Sequence, residues 1–196
     1  MRRPTVRLLF AAAILAARPS SGFGSERLPF DLAVRVAAGS DGGSASLGED
    51  AARALVTDLS ARGCFRGVRL APDEGPADGD LILLVTLSDV REDVRYEQSL
   101  AERAQPRDEV EAALAHVAHL SFHTELKLAA IPGGAVVKAS EFRVSGERRP
   151  RTPGDDAREG VRSDAILNLA RRTRAAICRG SASRLERAIE AARTAP

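Results

Sequence analysis

Leu81 to Leu87 reads Leu-Ile-Leu-Leu-Val-Thr-Leu, with a single polar side chain in seven residues. The run is too short for a buried helix and too continuously apolar for a strand with one wet face. It follows a turn-rich acidic loop, Pro72 to Gly79. Such a run predicts a strand covered on both faces, and therefore the centre of a sheet. The rest of the chain must supply its neighbours and the layer that covers it.

The flanking patterns supply both. Leu28 to Ala38 places Leu32, Val34 and Val36 on alternate positions, a strand signal. Gly39 to Ala45 is a loop of small and polar residues. Ser46 followed by Glu49 reads as a capping box that opens a helix. That helix carries Ala51, Leu55 and Leu59 on one face with Val56 beside them, and Gly63 closes it as the C′ residue. Phe65, Val68 and Leu70 make a short second strand. After Leu87 the chain is charged as far as Gln105, but Val90, Val94 and Tyr96 extend the central strand. Val110, Ala113, Leu114 and Val117 suit a helix starting at Pro106 or Asp108, and residues 97–118 read as an insertion.

From Leu120 the period returns to two. Leu120, Phe122, Thr124, Leu126 and Leu128 alternate with polar residues. Ile131-Pro132-Gly133-Gly134 is a turn signal, and Ala135 to Ser145 returns as the partner strand. A loop over Gly146 to Asp156 leads to a helix with Ile166, Leu169, Thr173 and Ile177 on its buried face, ended by Gly180. A short helix over 183–193 carries Leu185 and Ile189. The order of elements predicts an α/β (α+β) two-layer sandwich, a mixed sheet of about five strands covered by two or three helices.

At 196 residues, 44% hydrophobic and 4% aromatic, the chain has the composition of one globular domain. Its beginning reads as an export address. Met1 to Arg7 carries three Arg, Leu8 to Ala17 is wholly apolar, and Gly22 and Gly24 supply small residues at the −3 and −1 positions of a cleavage site. Spanning a bilayer needs roughly 20 apolar residues, more than this core contains. Residues 1–24 are therefore expected to be a signal peptide and 25–196 a single domain, periplasmic or secreted, with no transmembrane segment once the signal is removed. Losing Arg2, Arg3, Arg7 and Arg18 turns the formal charge from +2 to −2. That sign argues against nucleic acid as a partner.

Export bears on the two cysteines, Cys64 and Cys178. An oxidising compartment lets them pair, and both fall at predicted helix ends where side chains meet; two reduced, buried thiols are the alternative. A bridge closing so long a loop is worth about 4 to 5 kcal/mol in the chain-entropy model.

Candidate chemistry is sparse. His116, His119 and His123 share one stripe if the segment is helical, enough ligands for a metal and for a metal-binding module or metal-dependent hydrolase. If the segment is a strand, His119 and His123 share a face about 13 Å apart, too far for one ion. Arg148, Arg149 and Arg151 with Arg171, Arg172 and Arg174 form a candidate patch for an anionic partner; a solvated loop and helix face is the alternative. Neither a nucleophile elbow nor a phosphate-cradling glycine loop is present in the sequence, and no cofactor is expected.

Three stretches carry a family resemblance: Leu55 to Leu70, the Gly79-Asp80 lead into Leu81 to Leu87, and the hairpin with Gly133-Gly134-Ala135-Val136-Val137 followed by Phe142. In architecture the chain resembles small periplasmic α/β domains of bacterial envelope assembly, such as the N-terminal domain of TolB and domains related to the curli secretion lipoprotein CsgG. The resemblance covers about three quarters of the chain beyond the signal. It departs in having no lipidated Cys and in residues 97–118. It implies a non-enzymatic binding or assembly role in the envelope, contacting protein or lipid.

Overall fold

The apolar run does form the middle of a sheet. In a computed structural model, which describes residues 27–38, 44–96, 116–150, 152, 155–179 and 182–194, five strands lie in the order β2-β1-β3-β4-β5. They are β1 (Leu28–Ala38), β2 (Phe65–Leu70), β3 (Leu81–Tyr96), β4 (His116–Ala130) and β5 (Val136–Arg148). β1 runs parallel to both β2 and β3, while β3, β4 and β5 are antiparallel, so the sheet is mixed. Among the described residues three helices accompany it: α1 (Ser44–Arg62), α2 (Ala157–Cys178) and α3 (Ala182–Thr194). The expected signal peptide and most of the expected insertion lie outside the described residues.

One face of the sheet makes the core. Leu32, Leu81, Leu83, Val85, Leu87, Leu120, Phe122, Leu126 and Leu128 are each at most 1% exposed. They meet Leu47, Ala51, Leu55 and Leu59 from α1 and Val161, Ala165, Leu169 and Ile177 from α2. The helix spacings read from the sequence are the ones buried, because side chains three and four apart return to one face. The opposite face of β3 is less covered than its composition suggests: Ile82 and Leu84 are only partly buried. An apolar run thus stands for a central strand here without two complete covering layers.

Several boundaries differ from the sequence reading. α1 begins at Ser44, so Ser46 lies inside its first turn; its Oγ accepts from Arg162 Nη1 at 3.3 Å, and Glu49 pairs with Arg53 at 3.1 Å. With Ser46 inside the helix rather than ahead of it, the pair does not occupy the N-cap and N3 positions that a capping box requires. Gly63 ends α1 without a left-handed backbone; a Cβ there would collide with the Leu59 carbonyl. Val117 and its neighbours His116 and Ala118 belong to β4, pairing with β3, so neither the helix nor the insertion extends that far. β5 continues past Ser145 to Arg148, opposite Ala118. Gly146 fits within it because α2 packs close: a Cβ would lie 3.2 Å from Val161 Cγ2. Asp156 caps α2, its carboxylate accepting from the Arg158 and Glu159 amides. The helix ends on an extended Arg179 rather than at a glycine.

Two clasps tie the end of the chain down. Cys64 and Cys178 form a disulfide with Cα atoms 5.6 Å apart, joining the end of α2 to the start of β2. α3 then runs from beside β5, where Lys138 Nζ donates to the Arg179 carbonyl at 3.4 Å, to the β1 and β3 starts. There Arg193 binds Asp80 at 2.5 Å and lies over the Phe30 ring. Asp80 also accepts the Asp31 amide at 2.9 Å, and Asp31 takes Arg66 through both carboxylate oxygens, at 3.0 and 2.6 Å. The Arg66 hydrogen bond holds the Asp31 carboxyl below its ordinary pKa. The Asp31 amide, and then Arg193, do the same for Asp80. Ile189, in the middle of α3, is fully buried in the common core.

Candidate binding face

β3 changes phase halfway along. Up to Ser88 its odd residues point at the helices and its even residues away from them. Ser88 pairs with His123, but the next paired residue on β3 is Arg91, opposite Ser121, so Asp89 and Val90 together face one residue of β4. Asp89 sits at φ 51°, a left-handed conformation unusual for a residue other than glycine. An extra residue of this kind is a β-bulge, and it reverses which side chains face which way.

The reversal has a chemical result. Beyond the bulge Val90 and Val94 join the core cluster, and Glu92 reaches Arg162 of α2 at 3.2 Å. Arg91, Asp93 and Arg95 are turned to the face that the described helices leave open. With unbroken alternation, Val90, Glu92 and Val94 would be there instead. Burying three charged side chains against the core costs several kcal/mol, which is the physical reason the bulged register wins.

On that open face the strands bring cross-strand rows together. Arg91, Ser121 and Ser145 are mutual register partners across β3, β4 and β5, flanked by Ser88, His123 and Arg143 on one side and Asp93, His119 and Glu147 on the other. Arg91, Asp93, Arg95, His119, Ser121, Arg143 and Ser145 are among the residues lining a cavity of about 600 Å³. Charges in it are unevenly matched. Asp93 takes Arg95 at 2.7 Å, and Glu147 lies 3.8 Å from His119. Among the described residues the Arg91 and Arg143 guanidinium groups have no carboxylate partner within ion-pair distance.

The histidines separate. β4 is a strand, so His119 and His123 share the open face, while His116 belongs to the opposite parity. His123 lies 3.9 Å from Glu141. Among the described residues no group of three or more His, Cys, Asp or Glu is placed to hold a metal ion. The arginines also disperse. Arg148 pairs with Asp164 at 3.2 Å, Arg172 stacks on Phe142 at 4.5 Å and donates to the Arg143 carbonyl, and Arg174 reaches Asp58 of α1 at 3.5 Å. These three serve to dock α2 on its neighbours. Arg171 is exposed on α2, and Arg151 lies outside the described residues. On the open face Arg91 and Arg143, outside the arginine patch expected from the sequence, are without a carboxylate partner among the described residues. The signal that could have found Arg91 was the phase change between Leu87 and Val90, three residues apart yet on one face.

Solved structures of similar fold exist. A Helicobacter pylori homologue of a neuraminyllactose-binding hemagglutinin superposes with a TM-score of 0.50 at 11% identity, covering 86% of this chain and 95% of that one. A Xanthomonas campestris protein of the family DUF330 gives 0.48 at 12% identity, with 76% and 84% covered. A minor lipoprotein from Acinetobacter baumannii gives 0.40 at 10% identity, with 80% and 93% covered. The Helicobacter likeness is one of fold. No protein-family model matches the chain, and neither does any curated protein. Among the described residues no helix is long and apolar enough to cross a membrane, which says nothing of a β-barrel.

Proposed function

We propose that this chain is an exported, non-enzymatic binding or assembly domain of the bacterial cell envelope, contacting protein or lipid through the sheet face its helices leave open. The observation that carries the reading is the cavity at the bulge, where a strained backbone turns Arg91 toward Ser121, Ser145 and Arg143. Its lining offers charge and hydroxyl donors around an open space, which suits holding a partner. In this reading residues 1–24 are a signal peptide, 25–196 a single domain, and the location periplasmic or secreted. The Cys64–Cys178 bridge supports that, since disulfides persist in oxidising compartments. The likeness to the TolB N-terminal domain and to CsgG-related domains belongs to the same proposal. So does the binding activity for which the Helicobacter neighbour is named, taken here as support for a binding class alone.

The test expresses the full chain in a Gram-negative host with a photo-crosslinking residue at Ser145 on the open face, or at Arg171 on α2. The expected result is a periplasmic product whose intact mass begins at Ser25, with an envelope component crosslinked from position 145 and not from 171. A product retaining Met1 with reduced thiols in the cytosol, or equal crosslinking from both positions, would overturn the reading.

A further inference from the structure

We propose that the cavity at the β3 bulge is an oxyanion site that takes a phosphate group, with Arg91 and Arg143 as its two cationic arms and Ser121 and Ser145 as hydroxyl donors between them. The proposal rests on reading the open face as a binding surface and names the chemistry of what binds there. Both arginines line one cavity. Their Cα atoms are two strand spacings and two residues apart, about 12 Å from sheet geometry, a span that two long arginine side chains can bridge to hold one anion over the Ser121 and Ser145 row.

Charge is the second argument. Two of the acidic groups around the cavity are already committed, Asp93 to Arg95 and Glu92 to Arg162 on the other face of the sheet, and Glu147 lies 3.8 Å from the His119 ring. What remains on the lining is two guanidinium groups without a carboxylate partner among the described residues, the chemistry that suits a tetrahedral oxyanion with several acceptor oxygens. The bulge is the third. A left-handed Asp89 is maintained in the middle of a long strand, and its effect is to carry Arg91 to this face.

The surroundings bear on the source of the phosphate. One step along the strands the open face carries Thr86, Glu125 and Glu141 in register, with Lys127 paired to Glu125 at 2.6 Å, a charged row between the arginines and the partly apolar Ile82 and Leu84. An acyl chain leaving the site toward those apolar residues would cross the charged row. A water-soluble phosphate ester therefore fits better than a lipid embedded in a bilayer.

The experiment titrates the disulfide-intact protein with inorganic phosphate, with glycerol phosphate, and with phosphatidylglycerol vesicles in a phosphatidylcholine background. Binding is followed by calorimetry and by backbone amide shifts. The expected result is saturable phosphate binding with a Kd on the order of 1 mM or tighter, with shifts confined to residues 88–95, 119–123 and 143–147. Arg91→Ala and Arg143→Ala should each weaken it about tenfold. Arg91→Lys should recover part of the loss, and Arg171→Ala should change nothing. Unaltered thermal transitions would show that the variants fold. Binding of glycerol phosphate without vesicles supports the soluble ester; vesicle binding lost in both arginine variants moves the source to a headgroup and keeps the site. No saturable binding, or an equal loss in Arg171→Ala, overturns the proposal. Position-145 crosslinking that persists without phosphate binding would sink the ligand class and leave the binding role standing; phosphate binding without crosslinking would do the reverse.

Discussion

The two faces of β4 are built from the same strand and serve opposite ends. On the helix side Leu120, Phe122, Leu126 and Leu128 are at most 1% exposed. On the other, His119, Ser121, His123, Glu125 and Lys127 alternate with them in contact with solvent, Lys127 paired to Glu125 at 2.6 Å. A strand presents successive side chains to opposite faces, so one segment holds the fold together and displays a surface at once. The difference teaches where substitutions matter: the covered face carries stability, and the open face is free to carry specificity.

The largest expected contrast comes from adjacent residues. Phe122→Ala should cost about 3–5 kcal/mol, through lost burial and a cavity between sheet and helices. Its neighbour on the open face, His123→Ala, should change stability by no more than about 0.5 kcal/mol. Chemical denaturation of the two variants measures both, and equal losses would break the comparison. Next in size is the bridge that fastens the covered layer to the sheet. A Cys64→Ser, Cys178→Ser double variant should lose about 2–4 kcal/mol, seen as a lower denaturation midpoint. If the phosphate titration is unaltered in this variant, stability and binding are separate properties of the two faces.

The smallest effect tests the buried polar position of β4 on its covered face. Thr124 is fully buried, and its hydroxyl has no hydrogen-bond partner among the described residues. Thr124→Val keeps the β-branched shape and removes the unsatisfied group, so it should stabilise by about 1 kcal/mol. A thermal shift upward sharpens the comparison, and a shift downward would show that the hydroxyl is satisfied in solution.

Much of the architecture was legible because it rests on local periodicity. The alternation around Phe122, the three- and four-residue spacing around Leu169, and the continuous run at Leu83 each assign an element and a face without knowledge of the partner. The two cysteines could be placed at element ends by the same logic, and the structure joins them. The candidate site was far less legible. Three histidines within eight residues look like a cluster on the sequence, but a strand divides odd from even and sends His116 to the other side. Six arginines look like a patch, yet Arg148, Arg172 and Arg174 turn inward to Asp164, Phe142 and Asp58. Nearness along a chain says little about convergence in space, because ligand groups are gathered across strands.

Local pattern by itself therefore determined the elements, the central position of β3 and the buried stripe of each helix, since these depend on where apolar side chains recur within a few residues. Tertiary structure alone decided that Arg91 and Arg143 share a cavity. They are fifty-two positions apart in the chain, and they meet only because β4 lies between them and a one-residue bulge at Asp89 reverses the facing of the strand beyond it. That register follows from pairing with β4 and from the cost of burying charge, forces that act between segments rather than within one.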